Sequence, residues 1–246
     1  MFYFVEKFFL ILITAHLLGD FVFQPDWLVK LKNRSYGVCF HALIHALITL
    51  LLLANRIACF FALAVFVAHI VIDLCKIQVL EKTKDNVWIF LGDQVLHIWT
   101  LWGITLWASY YDRYFHFSNL RVLICMLISL LILATYFSGH VIGFITRDII
   151  RKNRLRIDGL RNGGKLIGNL ERALIFFLVL FNMSSVVGLI ATAKSILRFG
   201  EIKKDWKMAE YILIGTLVSF LAALICGYIA RFVLIYFEPS IAKFNL

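Results

Sequence analysis

Long apolar stretches separated by short charged segments make up most of the chain. Seven of them reach or approach the roughly 20 residues that an α-helix needs to cross a bilayer. They are residues 2–23, 38–54, 57–75, 87–111, 120–146, 166–191 and 208–237. The chain has only two prolines, so each stretch is predicted to be helical and joined to the next by a short connection. We therefore expect an all-α, polytopic transmembrane helical bundle of about seven spans.

The composition supports a membrane protein. Of the 246 residues, 62% are hydrophobic and 16% charged, and the mean hydropathy is +0.87, which excludes an ordinary soluble domain. The first apolar stretch lacks a small-residue cleavage site, so we interpret it as a span and not as a cleaved signal peptide. The five cysteines are scattered through apolar stretches, and their spacing favours neither a disulfide framework nor a thiolate metal site.

The formal charge of +10 lies mostly between the apolar stretches and predicts an orientation. Lys30, Lys32, Arg34 and the basic run 147–165 would share one membrane face, which the positive-inside rule makes cytoplasmic. The N-terminus is then outside the inner (plasma) membrane and the C-terminus inside. The basic segment 194–207 falls on the outer face, so either the sixth stretch is re-entrant or interleaved acidic residues offset that charge. A basic cytoplasmic face suits anionic membrane lipids, and nothing in the pattern requires nucleic acid.

One compositional break divides the chain. Residues 147–172 are charged and contain four glycines, and they separate five apolar stretches from two. We predict a five-span module at 1–147, a basic cytoplasmic loop at 148–165 and a C-terminal two-span module at 166–246. No pattern in the sequence indicates an oligomeric state.

Histidines and aspartates recur four positions apart within the first four apolar stretches. The pairs are His16/Asp20, His41/His45, His69/Asp73 and Asp93/His97. With Asp112/His116 the chain holds five such pairs, whereas random placement of its seven histidines and nine aspartates predicts about one. Residues at i and i+4 project from the same face of a helix, so one helix could present two ligands to a single site.

The four pairs also share one depth. They lie near the ends of the first and third predicted spans and near the starts of the second and fourth. Because consecutive spans run antiparallel, all four pairs should reach the cytoplasmic face, where five imidazoles and three carboxylates converge. The fifth pair, Asp112/His116, lies at the opposite end of its span, and we interpret it as a chance occurrence.

This set of side chains predicts a binuclear metal site. Imidazole with carboxylate and no thiolate suits Zn, Mn or Fe, and five nitrogens argue against Ca or Mg alone. Four-helix bundles hold di-metal sites through ligands that face inward. We expect two divalent ions, with Zn favoured, because three buried aspartates without metal would cost several kcal/mol unless they were protonated or paired.

Other side chains are candidates for catalytic roles. Asp73, Asp93 or Asp20 could accept a proton instead of binding metal, and the sequence does not separate these roles. Lys76 could bind an anionic group beside the metals, or it could be a lysine that extends to the cytoplasmic interface. Glu171 could be a general base, or it could form an intramolecular ion pair with an arginine such as Arg172.

The motifs that carry the four pairs resemble a known family. The segments "HLLGDFVFQ", "HALIHALI", "HIVIDLCK" and "DQVLH" are similar to those of an uncharacterised bacterial integral-membrane domain of unknown function. A second likeness runs from "GNLERALIFFLVLF" to "AKSILRF" in the C-terminal part. The chain is more distantly similar to inner-membrane metal-dependent hydrolases with comparable His/Asp pairs, and this resemblance implies hydrolysis at a metal site.

Together these patterns give one leading hypothesis and three alternatives. The leading hypothesis is a membrane-embedded, metal-dependent hydrolase of a lipid or amphipathic phosphoester at the cytoplasmic interface, acting through a water activated by two metals. The alternatives are a metal-ion transporter, a metal-ion sensor and a membrane di-iron oxygenase. A transporter would need ligands near the bilayer midplane and a polar path to the other face, but the outer halves of the first four spans are mostly apolar.

Overall fold

The structure is a computed structural model that describes residues 3–32, 35–82, 86–154, 163–202 and 206–239. Nearly all of these residues are helical, and no strand occurs among them. The helices are α1 (Phe4–Leu17), α2 (Asp26–Leu31), α3 (Ser35–Leu53), α4 (Ala58–Lys82), α5 (Val87–Ala108), α6 (Asn119–Ile132), α7 (Ser138–Asn153), α8 (Gly163–Leu180), α9 (Ser184–Ile202) and α10 (Trp206–Phe237). Leu18–Val22 after α1 and Leu133–Phe137 after α6 form π-helical turns, and Ser109–Tyr114 forms a 3₁₀ turn.

Five helical stretches are long and apolar enough to cross a membrane. They are Tyr36–Leu53, Ala58–Val79, Val87–Tyr114, Asn119–Asn153 and Trp206–Phe237. Helices of this length and apolarity indicate a membrane protein, and they confirm the predicted polytopic α-helical bundle.

The predicted sixth span at 166–191 is not a single helix. Helix α8 ends at Leu180 and α9 begins at Ser184. Between them Asn182 has a φ of 62°, in the left-handed region that asparagine occupies more readily than most residues. The apolar pattern continues across this turn, which contains neither glycine nor proline, so the sequence carried no strong signal for the break.

The chain divides into two compact units, Met1–Ser129 and Leu130–Leu246. Within the predicted loop at 148–165, residues 155–162 lie outside the described part of the chain. Helix α7 continues to Asn153 and α8 begins at Gly163, so the described ends of that segment are helical. The proposed three-part division stays a prediction.

In the first unit, four helices pack around a common core. Helix α4 lies against α3 and α5, and α1 lies against the same two helices. The short helix α2 packs on α3. This arrangement brings the last turns of α1 and the second half of α4 beside the first halves of α3 and α5.

Aromatic rings fill the other end of this four-helix core. The ring centroids of Phe8, Phe61 and Phe115 lie 5.2 to 5.7 Å apart, in edge-on or tilted contacts, and all three side chains are buried. His16 lies eight residues beyond Phe8 on α1, about 12 Å along the helix axis at 1.5 Å per residue. The histidines therefore lie at one end of the core and an apolar aromatic cluster at the other.

In the second unit, α10 packs against both α7 and α8, and α8 also contacts α9. The centre of the contact is apolar and includes Ile175, Val179, Val187 and Ala223, all buried. Lipid tails are as apolar as these side chains, so close van der Waals packing, and not removal from water, holds the helices together.

Candidate metal centre

All eight predicted metal ligands lie together in the four-helix core of the first unit. Two come from each of α3, α4 and α5, and the other two come from α1 and the π-helical turn that follows it. Seven of the eight are buried, with His41 and His45 wholly inaccessible, and the Asp20 side chain is 11% exposed. Their role as metal ligands stays a prediction.

The first group of ligand atoms combines three histidines with one carboxylate. One ligand atom from each of His16, Asp20, His45 and His69 lies within 4.8 Å of the other three. Nε2 of His45 is 3.1 Å from Oδ1 of Asp20. The rings of His45 and His69 stack with their centroids 3.8 Å apart. These side chains present three imidazole nitrogens and one carboxylate to one point.

The second group contains two carboxylates and one histidine. Ligand atoms of Asp73, Asp93 and His97 also lie within 4.8 Å of one another. His41 lies between the two groups, because its Nε2 is 3.0 Å from Oδ1 of Asp20 and 3.9 Å from Oδ2 of Asp73. The eight side chains therefore form two adjacent groups joined by His41.

Two histidines are held by backbone carbonyls one turn earlier on their own helices. Nδ1 of His69 donates to the carbonyl oxygen of Val65 at 3.0 Å, and Nδ1 of His97 donates to that of Asp93 at 2.9 Å. The proton on Nδ1 leaves the Nε2 lone pair of each ring directed into the site. Metal-binding histidines are commonly oriented in this way.

A neutral His16 ring cannot donate a hydrogen bond to the acceptors on both of its sides. Its Nδ1 is 3.2 Å from Nε2 of His69, which is an acceptor because His69 carries its proton on Nδ1. Its Nε2 faces two further acceptors, Oε1 of Gln94 at 3.3 Å and Oδ2 of Asp20 at 3.6 Å. A neutral imidazole has one N–H and cannot donate on both sides. A neutral His16 therefore leaves one of these contacts without a proton, whereas a metal ion would use the lone pairs that face one another.

Three acceptors of the second group are buried without a hydrogen-bond partner in the described part of the chain. They are Nε2 of His97, Oδ1 of Asp93 and Oδ2 of Asp73, and the last of these still has an ion-pair contact with Lys32. An unpaired buried acceptor costs about 1–3 kcal/mol, more when it is charged. A divalent cation would use these lone pairs, so the residues present fit the predicted metal.

The π-helical turn Leu18–Val22 shapes the first group. Gly19 in this turn lies directly under the ring of His45, and a Cβ atom at Gly19 would be 2.5 Å from Nε2 and 2.6 Å from Nδ1 of that ring. A side chain at this position would therefore have to displace the ring. π-helical turns occur frequently at functional sites, and here the turn carries both Asp20 and the glycine that His45 packs against.

Two lysines lie at the more accessible side of the centre. Nζ of Lys32 is 2.9 Å from Oδ2 of Asp73, and Nζ of Lys76 donates to Oδ2 of Asp93 at 2.7 Å. Their side chains are 18% and 28% exposed, whereas both aspartates are 5% exposed. Lys76 therefore lies beside the predicted metal ligands. This position is the one expected if Lys76 binds an anionic group next to the metals. Lys32 was missed, because in the sequence it is one of several basic residues in a connecting segment.

Glu171, the remaining catalytic candidate, belongs to the second unit. Its carboxylate pairs with Lys194 at 2.5 Å. The suggested partner Arg172 instead donates to neutral oxygens of Thr135, Asn169 and Ser219. The predicted pairing with Arg172 is thus replaced by one with a lysine on α9, a contact between helices that the sequence did not indicate.

The pair set aside in the sequence, Asp112 and His116, is outside the centre. Both side chains are exposed and lie beyond the C-terminal end of α5. His116 is therefore a suitable control for experiments on the buried histidines.

The part of the chain that holds these residues matches a known protein family. Residues 8–124 match the DUF3307 family, described as proteins of unknown function. The DUF3307 match lies within the first unit and includes all eight predicted ligands. It confirms the resemblance of this region to an uncharacterised family. No curated protein and no solved structure matches the chain.

Proposed function

We propose that the first unit is a membrane-embedded, metal-dependent hydrolase that acts on a lipid or amphipathic phosphoester. The observation that carries the proposal is the pair of adjacent ligand groups, in which acceptor atoms face one another without enough protons to satisfy them. Buried acceptors of this kind are explained by bound cations, and two neighbouring cations are the usual arrangement for phosphoester hydrolysis.

Two divalent ions, Zn or alternatively Mn or Fe, would polarise the phosphoryl oxygens and lower the pKa of a bound water. The protein's part is to hold the ligands rigidly. His69 and His97 are fixed by their backbone carbonyls, and Gln94 donates to Oδ2 of Asp20 at 2.9 Å. Ligand orientation of this kind supports tight metal binding.

Lys32 and Lys76 support an anionic substrate. Each of them pairs with one carboxylate of the second group. When Asp73 and Asp93 bind cations instead, the two ammonium groups become available at the accessible side of the centre. Phosphoester oxygens are suitable partners for them, because charge-assisted hydrogen bonds to phosphate are strong.

The aromatic end of the core supports an enzyme over a transporter. Between the histidines and the far ends of these helices lie Phe8, Ile11, Phe61 and Leu101, each at most 2% exposed. An ion crossing this region would lose its hydration and gain only hydroxyl oxygens such as those of Thr14, Thr49 and Thr105, at a large cost in free energy. A di-iron oxygenase is the weaker enzymatic alternative, since three aspartates are unusual in such a site.

Metal content is the first test. The full chain is purified in detergent without added metal, and bound elements are measured by mass spectrometry. About two equivalents of Zn, Mn or Fe are expected in the wild type. Asp73→Asn and His41→Ala/His45→Ala should each lose most of that metal, while His116→Ala, which changes an exposed histidine, should keep it.

Hydrolysis is measured on the same preparations with a chromogenic phosphodiester and with short-chain phospholipids. Turnover should follow metal content across the variants, and chelation should abolish it reversibly. Folded wild-type protein that binds no metal, even after metals are added, would refute the proposal. Full metal content in Asp73→Asn would remove that aspartate from the ligand set.

A further inference from the structure

The second unit contains a cavity of its own. It has a volume of about 760 Å³ and lies among α7, α8, α9 and α10, with part of its wall from the π-helical turn Leu133–Phe137. Small-molecule sites in proteins usually measure about 300–1,000 Å³. This cavity has the size of a site for an organic ligand.

Positive charge dominates the wall of this cavity. It is lined by four cationic side chains, Arg147, Lys165, Arg172 and Lys194, and by one carboxylate, Glu171. Glu171 pairs with Lys194 at 2.5 Å, so its charge is already balanced. Glu171 also interacts electrostatically with Arg172, but one carboxylate against four cations leaves a formal excess of three positive charges on the wall.

Arg172 is the buried member of this set, with 4% of its surface exposed. Its guanidinium donates to the carbonyl oxygen of Thr135 at 2.9 and 3.2 Å, to Oγ of Ser219 at 3.1 Å and to Oδ1 of Asn169 at 2.6 Å. All three acceptors are neutral. The contacts fix the guanidinium in place, yet no carboxylate in the described part of the chain forms an ion pair with it.

A buried cation held only by neutral groups is costly unless a counter-charge lies nearby. We propose that the cavity binds a phosphate group, either as the headgroup of an amphiphile or as the free ion. Phosphate carries about −1.5 to −2 charges near neutral pH, which suits several converging cations better than a single carboxylate would. Ile142, Ile150 and Ile212 form part of the wall and could contact the apolar portion of an amphiphile.

This site is separate from the proposed metal centre. Its lining residues belong to the second unit and lie outside the DUF3307 match at residues 8–124. It requires no metal ion. The failure of either proposal would leave the other unaffected.

Binding is measured by isothermal titration calorimetry on the full chain in an uncharged detergent. Three probes are compared: inorganic phosphate, dihexanoyl phosphatidic acid and uncharged dihexanoylglycerol. Binding of phosphatidic acid alone identifies a headgroup as the source of the phosphate. Equal binding of inorganic phosphate identifies the free ion. Binding of dihexanoylglycerol as tight as that of phosphatidic acid overturns the proposal.

Two pairs of variants locate the bound probe. Arg172→Gln removes the buried charge, and Arg151→Gln is its control, because Arg151 is an exposed residue of the same unit that pairs with Asp148 on its own helix and does not line the cavity. Gly143→Leu fills the cavity without changing charge, since a Cβ at Gly143 meets no atom within 4 Å. Gly188→Leu is its control, at another open helical glycine that does not line the cavity.

We expect Arg172→Gln and Gly143→Leu each to weaken binding of the phosphate-bearing probe at least tenfold. The two control variants should bind within twofold of the wild type. If Arg172→Gln fails to fold, the Gly143→Leu result alone tests whether the probe binds in the cavity. Binding that neither cavity variant weakens, or no binding of either phosphate probe, overturns the proposal.

Discussion

Replacing Gly19 with alanine should weaken metal binding at the proposed centre without unfolding the first unit. The new methyl group would be 2.5 Å from Nε2 of His45, whereas ordinary contact begins near 3.4 Å. The ring must therefore move by roughly 0.9 Å. It has little freedom to do so, because His45 is wholly buried and stacks on His69 with centroids 3.8 Å apart.

The size of the effect follows from the tolerance of metal–ligand bonds, which is about ±0.2 Å. A displacement several times larger should cost His45 its place in the coordination sphere. Disturbing even the partners of metal ligands lowers metal affinity about 10- to 100-fold, which corresponds to about 1.4–2.8 kcal/mol. We expect Gly19→Ala to lose at least this much affinity.

Stability should change less than metal affinity. Overpacking costs about 1–3 kcal/mol, but alanine in a helix recovers about 0.5–1 kcal/mol relative to glycine. The control is Gly92→Ala, which precedes Asp93 on α5 and where a Cβ meets no atom within 4 Å. Metal affinity is measured by competition with a zinc chelator in detergent, and folding by thermal unfolding. A folded Gly19→Ala protein with wild-type metal affinity would refute the reasoning, as would equal losses in both variants.

Two further predictions concern a helix cap and the accessible side of the centre. Asn86 caps α5 by accepting from two backbone N–H groups at 2.9 and 3.1 Å, so Asn86→Ala should destabilise the protein by about 1 kcal/mol, seen as a lower Tm, while Asn86→Ser should retain most of the stability. Lys32→Gln and Lys76→Gln should keep bound metal within about twofold but raise the KM for an anionic phosphodiester roughly tenfold, as measured by steady-state kinetics. Metal loss in both lysine variants would contradict this prediction and would mean that the two lysines hold Asp73 and Asp93 in position to bind metal.

Local sequence pattern determined the helices and which of their faces carry the polar pairs. Apolar runs of bilayer length have no low-energy alternative to helix in a membrane, because every backbone group must be hydrogen-bonded within the segment. The spacing of four residues then places His41 with His45, and Asp93 with His97, on one face whatever surrounds them. These features depend on neighbours along the chain, so they could be predicted without the fold.

Only the tertiary structure decided which side chains meet across helices. Nothing in the sequence places Lys32 against Asp73 or Lys194 against Glu171, since neither pair has the spacing of neighbours on one helix. The same holds for Gly19 under the ring of His45 and for the cavity around Arg172. The break at Asn182 escaped prediction for a related reason, since an uninterrupted apolar pattern does not show where packing ends a helix. Periodicity fixes the direction of a side chain, whereas its partner depends on the packing of whole helices.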